Sequence, residues 1–125
     1  MVTKTESETI LIDSNLWIDY FSGAQRGKKA LLYIEGNEKI VVSTINIAEV
    51  FRHILSKRSR HDARRSIQIM LEYAFSVPFD NELAICAADI KHNKKWGLAD
   101  AIVYATAIKE NARIVTADSD FVGEK

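Results

Sequence analysis

Four carboxylates stand where hydrophobic runs stop or helices begin. Asp13 directly follows Ile10-Leu11-Ile12, and Glu49 lies in the helical stretch after Ile40-Val41-Val42. Asp100 comes just past Gly97, and Asp118 follows Ile114-Val115-Thr116 closely. Carboxylates gathered at one place repel one another unless a cation is present. Donor sets made of oxygen alone select a hard ion, Mg2+ or Mn2+. Such a site suits phosphoryl transfer: the ion polarises the phosphate and helps deprotonate a water, and a second ion stabilises the leaving oxygen. No side-chain nucleophile is required. Taken singly, each acid also has an ordinary structural use. Asp13 could cap a helix, Asp100 could complement a helix dipole, Glu49 could be a solvated helix residue, and Asp118 and Asp120 could form turns.

Whether the four acids meet depends on the elements that carry them. Ile10–Ile12 reads as a short buried strand ending at Asp13, followed by a helix over Asn15–Phe21 that breaks at Ser22-Gly23. Lys28–Ile34 reads as a helix ending at Gly36-Asn37. The β-branched run Ile40–Val42 is a buried strand. From Asn46 to Leu55 a helix carries Ile47, Val50, Phe51, Ile54 and Leu55 at helical spacing. A basic turn, Ser56–His61, leads to a helix over Asp62–Ala74. Phe75–Val77 is a short strand closed by Pro78, and Glu82–His92 an alanine-rich helix. The polar loop Asn93–Gly97 precedes a nearly all-apolar helix, Leu98–Glu110. Ile114–Thr116 is the last strand. This alternation predicts an α/β fold in which a parallel sheet is covered by helices on both faces, because parallel strands need crossovers. One three-layer domain over residues 1–125 is expected. In such sheets, sites form beyond the carboxyl ends of the strands, and all four acids can reach that edge. At roughly 100° per residue, Glu49 points nearly opposite the apolar stripe of its helix, so it faces bulk solvent or an open cleft.

Composition bounds the rest. The 125 residues are 47% hydrophobic and 27% charged, a globular balance long enough for a real core. Met1–Thr9 is polar and expected to be flexible. The first apolar run is too short for a signal segment or a membrane span, which predicts a cytoplasmic protein with no membrane partner. Cys86 is the only cysteine, so an internal disulfide and a cysteine-based zinc site are both excluded. Its apolar neighbours predict a buried, inert thiol. Seventeen basic residues balance seventeen acidic ones, but their distribution is uneven. Arg52, Lys57, Arg58, Arg60, Arg64 and Arg65 crowd one stretch against a single acid, Asp62. Within it Lys57, Arg58 and Arg60 are candidates to track an RNA backbone. His53, His61 and His92 lie among charged residues and read as surface histidines. A glycine-rich phosphate loop, a G-x-S-x-G elbow and an HExxH motif are all missing.

These residues resemble the PIN-domain family, and within it the toxin ribonucleases of VapBC-type toxin–antitoxin modules. The matching segments are Ile10 to Trp17, Ile45 to Val50, Leu98 to Ala107 and Ile114 to Phe121, in agreeing order and spacing over almost the whole chain. The resemblance implies that Asp13, Glu49, Asp100 and Asp118 form an acidic catalytic pocket. Asp13, Asp100 and Asp118 would be the metal ligands. Ser14 and Asn15 match polar positions that orient carboxylates or touch the metal, and Asp120 is a supporting residue in the last turn. The implied activity is hydrolysis of RNA phosphodiester bonds, and the implied partners are an inhibitory antitoxin and a second copy of the chain. Family members usually run past the Asp-Phe signature into a further strand or turn. This sequence stops at Lys125, so a missing or very short final strand is expected.

The same segments would serve a PIN fold that binds without cutting, but none of the four acids has been lost. A receiver-like phosphoacceptor also uses strand-end aspartates and Mg2+. It needs an aspartate after a middle strand and a lysine after a late one. Here Asp80 lies beyond Pro78, and no lysine directly follows Thr116. A metal-dependent phosphatase fits less well.

Overall fold

The computed structural model describes residues 8–116 and the backbone of 120–121. In chain order the elements are β1 (Thr9–Ile12), α1 (Ser14–Ser22), a 3-10 turn (Gln25–Gly27), α2 (Lys28–Ile34), β2 (Lys39–Ser43), α3 (Thr44–Lys57), α4 (Arg60–Tyr73), β3 (Ala74–Val77), α5 (Asn81–Lys94), α6 (Leu98–Lys109), β4 (Arg113–Val115) and β5 (Asp120–Phe121). The sheet order is β3-β2-β1-β4-β5, with the first four strands parallel. β1 is therefore central. All three residues of Ile10-Leu11-Ile12 are fully buried, as a strand covered on both faces requires.

Alternation along that strand sorts the core into two layers. Ile10 and Ile12 face one side, where Trp17, Val42, Val50, Ile54 and Met70 join them from α1, β2, α3 and α4. Leu11 faces the other, packing with Val41, Leu83, Ala87 and the buried face of α6. The expected three-layer α/β architecture is present. Two glycines shape the entry to the α1–α2 corner. Gly23 ends α1 in the left-handed region at φ 78°. A Cβ on Gly27 would lie 2.6 Å from the Asp19 carbonyl oxygen, so only glycine lets this turn lie against α1.

Several expectations are corrected. The sheet is not wholly parallel. β5 is a two-residue strand formed by the Asp-Phe signature itself, and it pairs antiparallel with β4, Ile114 opposite Phe121 and Val115 opposite Asp120; the strand expected beyond Phe121 lies outside the described residues. Thr9 and Glu8 do not belong to a flexible leader. Thr9 starts β1, the Glu8 carbonyl accepts from the Lys39 N–H at 2.9 Å, and the Glu8 carboxylate holds Arg113. The remainder of that segment, residues 1–7, lies outside the described residues. The basic turn is shorter than expected, because α3 runs on to Lys57 and Ser59 caps α4 by accepting from the Asp62 N–H at 3.0 Å. Most of the basic stretch is thereby helical. Likewise α5 continues to Lys94, ending at Lys95 in the left-handed region. Cys86 is half-buried against the α5–α6 layer rather than fully buried. Among the described residues, no helix is long and apolar enough to cross a membrane.

Candidate active site

The parallel strands end along one edge, and β1 delivers Asp13 there. Its N–H donates to the Val115 carbonyl at 2.9 Å, fixing the residue between β1 and β4. Asp13 occupies the N-cap position of α1, yet its side chain makes no capping bond to the helix. The ordinary structural use of this aspartate is thus not realised, and the carboxylate is left to the space beyond the sheet edge. Asp100 enters from the first turn of α6, after Gly97, and is exposed.

Glu49 comes from α3, whose start is set by a capping box. The Ser43 hydroxyl accepts from the Ile45 N–H at 3.2 Å, and the Asn46 Oδ1 accepts from the Ser43 N–H at 3.0 Å. Fully buried Asn46 then turns its amide outward, donating through Nδ2 to the Ser14 hydroxyl at 2.9 Å. Ser14 in turn donates to Glu49 Oε1 at 2.6 Å. A continuous chain of hydrogen bonds runs from the end of β2 through two buried side chains to a carboxylate. At helical spacing, residues 46, 49, 52 and 53 share one face, and it is this face that α3 turns toward the sheet edge. Of the two alternatives for Glu49, the structure takes the cleft.

Asp13, Glu49 and Asp100 line one cavity of about 230 Å³, together with Ser14, Asn15 and Ile18 from α1. Burial pushes the Asp13 carboxyl above the ordinary aspartate value. The Ser14 N–H pulls the other way, and the negative charges of Glu49 and Asp100 raise it further. The three acids therefore feel one another through the cavity. A second hollow, about 250 Å³, opens on the other side of Asp13 and Asp100 and is walled by Trp96, Val103, Ile114 and Thr116. Trp96 is braced edge-on by Tyr104, with ring centroids 5.1 Å apart.

As a home for a hard cation, the oxygen donors fit by chemistry: carboxylates, a hydroxyl and an amide, with the His53 imidazole and the Arg52 guanidinium also on the lining and no thiol. Among the described residues, however, no three His, Cys, Asp or Glu side chains converge closely enough to make a ready-built metal site. Glu49 is held by Ser14, and the acids stand around the cavity rather than at one point. Asp118, expected as the fourth acid, lies outside the described residues. Asp120 is placed by its backbone in β5, beside Val115, which itself bonds Asp13.

Two residues of this cavity are not foreseen from the sequence. Arg52 and His53 both line it. His53 is half-buried and is not the surface histidine expected from its charged neighbours. Its signal is present in the spacing, since it stands four residues after Glu49 on the same face. Of the basic candidates, Lys57 and Arg58 line an adjoining hollow that shares Ile18 and His53 with the acidic cavity. Arg60, the first residue of α4, is exposed and lines neither of these spaces.

The same fold recurs among known proteins. The PIN domain family profile matches residues 10–123. A toxin–antitoxin complex from Klebsiella pneumoniae superposes with a TM-score of 0.69 at 25% identity, over 84% of this chain and 82% of that one. FitAcB from Neisseria gonorrhoeae gives 0.68 at 24% identity, over 91% and 96% of the two chains. The Mycobacterium tuberculosis toxin VapC20, a sarcin–ricin loop cleaving toxin, gives 0.71 at 16% identity, over 86% and 88%. No curated protein sequence matches the chain. With the acids borne on a β1 end, an α3 face and an α6 first turn, and with the profile spanning nearly the whole sequence, the chain belongs to the PIN domain family.

Proposed function

We propose that the protein is a Mg2+- or Mn2+-dependent endoribonuclease and the toxin of a toxin–antitoxin pair. The observation that carries this reading is the cavity at the strand edge, lined by Asp13, Glu49 and Asp100, where burial chiefly, and the charges of Glu49 and Asp100 in addition, raise the Asp13 carboxyl above its ordinary value. A cation relieves that crowding, and phosphate is the substrate group for which such an ion is useful. Asp13, Asp100 and Asp118 would hold the ion. When bound, it supplies polarisation of the scissile phosphate and acidification of a water. Glu49, held by the Ser14 hydroxyl at 2.6 Å, would serve as the proton acceptor of the site. Arg52, on the same wall, can donate to phosphate oxygens. Similarity to the Klebsiella toxin–antitoxin complex supports an antitoxin partner for this chain. The proposed form is a homodimer acting in the cytoplasm.

The deciding experiment incubates the protein with labelled RNA, with and without Mg2+ or Mn2+, beside an Asp13→Asn control. Cleavage that requires both the ion and Asp13 is expected. RNA left intact under every metal condition, by a folded protein, would instead identify a PIN fold that binds without cutting. For the toxin role, expression of the protein alone should slow growth of a host cell, and co-expression of the adjacent reading frame should restore it. Harmless expression of a protein active in vitro counts against that role.

A further inference from the structure

The hollow that adjoins the acidic cavity has a construction of its own. It measures about 310 Å³, at the lower end of the range for small-molecule sites. α1 contributes Ile18, Phe21 and Ser22, and α3 contributes His53 and Ile54, with Lys57 and Arg58 beyond them. Among the described residues, no acidic side chain lines it. Ile18 and His53 line both spaces, so the two adjoin. Along α3, residues 49, 53 and 57 succeed one another a turn apart, presenting a carboxylate, an imidazole and an ammonium in that order. From Glu49 to Lys57 this row covers roughly 12 Å of helix.

The aromatic wall is fixed in advance. Phe21 stacks on fully buried Trp17, ring centroids 5.9 Å apart and planes 17° from parallel, and Tyr20 meets it edge-on at 5.2 Å. An apolar slot with a preset ring and an imidazole, set between an acidic phosphodiester site and two cations, has the layout of one nucleotide in a single strand. The flat base occupies the slot, and its flanking phosphates lie toward the acids at one end and the cations at the other.

We infer that the α1–α3 hollow is a nucleobase subsite, taking the base beside the cleaved bond of an RNA strand while Lys57 and Arg58 engage the next phosphate. This rests on the ribonuclease reading above. Ile18, Phe21 and His53, which with Ser22 and Ile54 line the slot, are its specificity-determining residues, because they present its ring, its imidazole and the side chain shared with the acidic cavity.

The test uses the full chain with Mn2+ and a short RNA that it cleaves. Single abasic nucleotides are placed at successive positions on either side of the cleaved bond. In the wild type, one flanking position is expected to lose about tenfold or more in kcat/KM when its base is removed. Phe21→Leu keeps an apolar side chain against Trp17 but removes the ring, and should reduce that penalty to about twofold or less. Phe21→Tyr should retain it. Should Phe21→Leu fail to fold, His53→Ala, at a half-buried position, reports on the same coupling and should also shrink the penalty. An abasic penalty of equal size in wild type and in the folded variants overturns the subsite while leaving the ribonuclease reading intact. If no RNA is cleaved by the wild type under any metal condition, the ribonuclease reading falls and the subsite with it.

Discussion

Ser14 Oγ lies 2.6 Å from Glu49 Oε1 and donates to it, while accepting from buried Asn46 Nδ2 at 2.9 Å. One hydroxyl thus joins the N-terminal cap of α3 to a carboxylate of the candidate active site. Folding and chemistry meet in a group that is itself only 6% exposed.

That joint predicts separable effects. Ser14→Ala strands the Asn46 amide in a buried place, which should cost about 1–3 kcal/mol in urea unfolding. It also frees Glu49, lowering RNA cleavage by about 10- to 100-fold, the scale seen when orienting partners of a metal site are removed. Glu49→Gln retains an acceptor for Ser14 and should leave stability nearly unchanged while reducing cleavage more severely. Wild-type stability and activity in Ser14→Ala would remove this role from the hydrogen-bond chain.

The crowding of acids predicts a metal-dependent gain in stability. Mn2+ at about 100 times its dissociation constant should stabilise the wild type by roughly 2.7 kcal/mol. Asp100→Asn removes one of the charges that raise Asp13, so without metal it should be as stable as the wild type or more so, while failing to cleave. Thermal melts with and without Mn2+ provide the measurement. A melting temperature indifferent to the ion in the wild type counts against the metal site.

Lys57, Arg58 and Arg60 are separated by the structure into two groups, and RNA binding should follow that division. Lys57→Ala or Arg58→Ala should flatten the salt dependence of RNA affinity by up to about 0.7 for each phosphate no longer neutralised. Arg60→Ala should change the slope less, since it lies outside the hollow. Affinities measured over a salt series decide this. A slope unchanged in all three variants returns the basic stretch to a solvated surface.

Asp80 predicts an acid limb of stability. Its carboxyl accepts from the Leu83 N–H at 2.9 Å as the cap of α5, and Lys109 Nζ stands 3.6 Å away. The Leu83 bond chiefly, with Lys109 adding, holds the group below its ordinary value of 3.8. The unfolded chain therefore takes up this proton first, and stability present above that value is lost as pH falls through the folded one. Asp80→Asn keeps a good cap but cannot titrate. It should weaken the dependence of unfolding free energy on pH in the acid range, as followed by denaturant titrations. An identical acid limb in the variant would assign it to other carboxylates.

Asp118 and Asp120 should differ in their demands on the site. Asp118 lies nearer the strand end and fits the family spacing from Asp100, so Asp118→Asn should cost more cleavage and more Mn2+ affinity than Asp120→Asn. A supporting role for Asp120 corresponds to a loss of about 10- to 100-fold. If Asp120→Asn proves the more damaging, the fourth carboxylate of the site is Asp120, in β5, rather than Asp118.

Periodicity and local chemistry determined much of this protein from its sequence alone. β-branched runs ending at Asp13 and before Thr44, apolar residues at helical spacing, and Gly23 or Pro78 as breaks define the alternating elements. Only one arrangement covers both faces of strands that apolar. That Asp13 and Asp100 would meet at one cavity was legible for the same reason, since they are tied to a strand end and a helix start that topology brings to one edge. The tertiary structure decided what depends on contacts distant in sequence. Glu49 chose the cleft over solvent because Ser14, 35 residues away, holds it there. Asn46 acquired a second task only when α1 came to lie against α3. His53 and Arg52 looked like members of a charged stretch until the rotation of α3 turned them toward Asp13. β5 formed because β4 presented a free edge, and a two-residue antiparallel pairing leaves no periodic trace in a sequence. Local patterns encode which face of an element is apolar, whereas the partners of its polar face are known only once another element has packed against it.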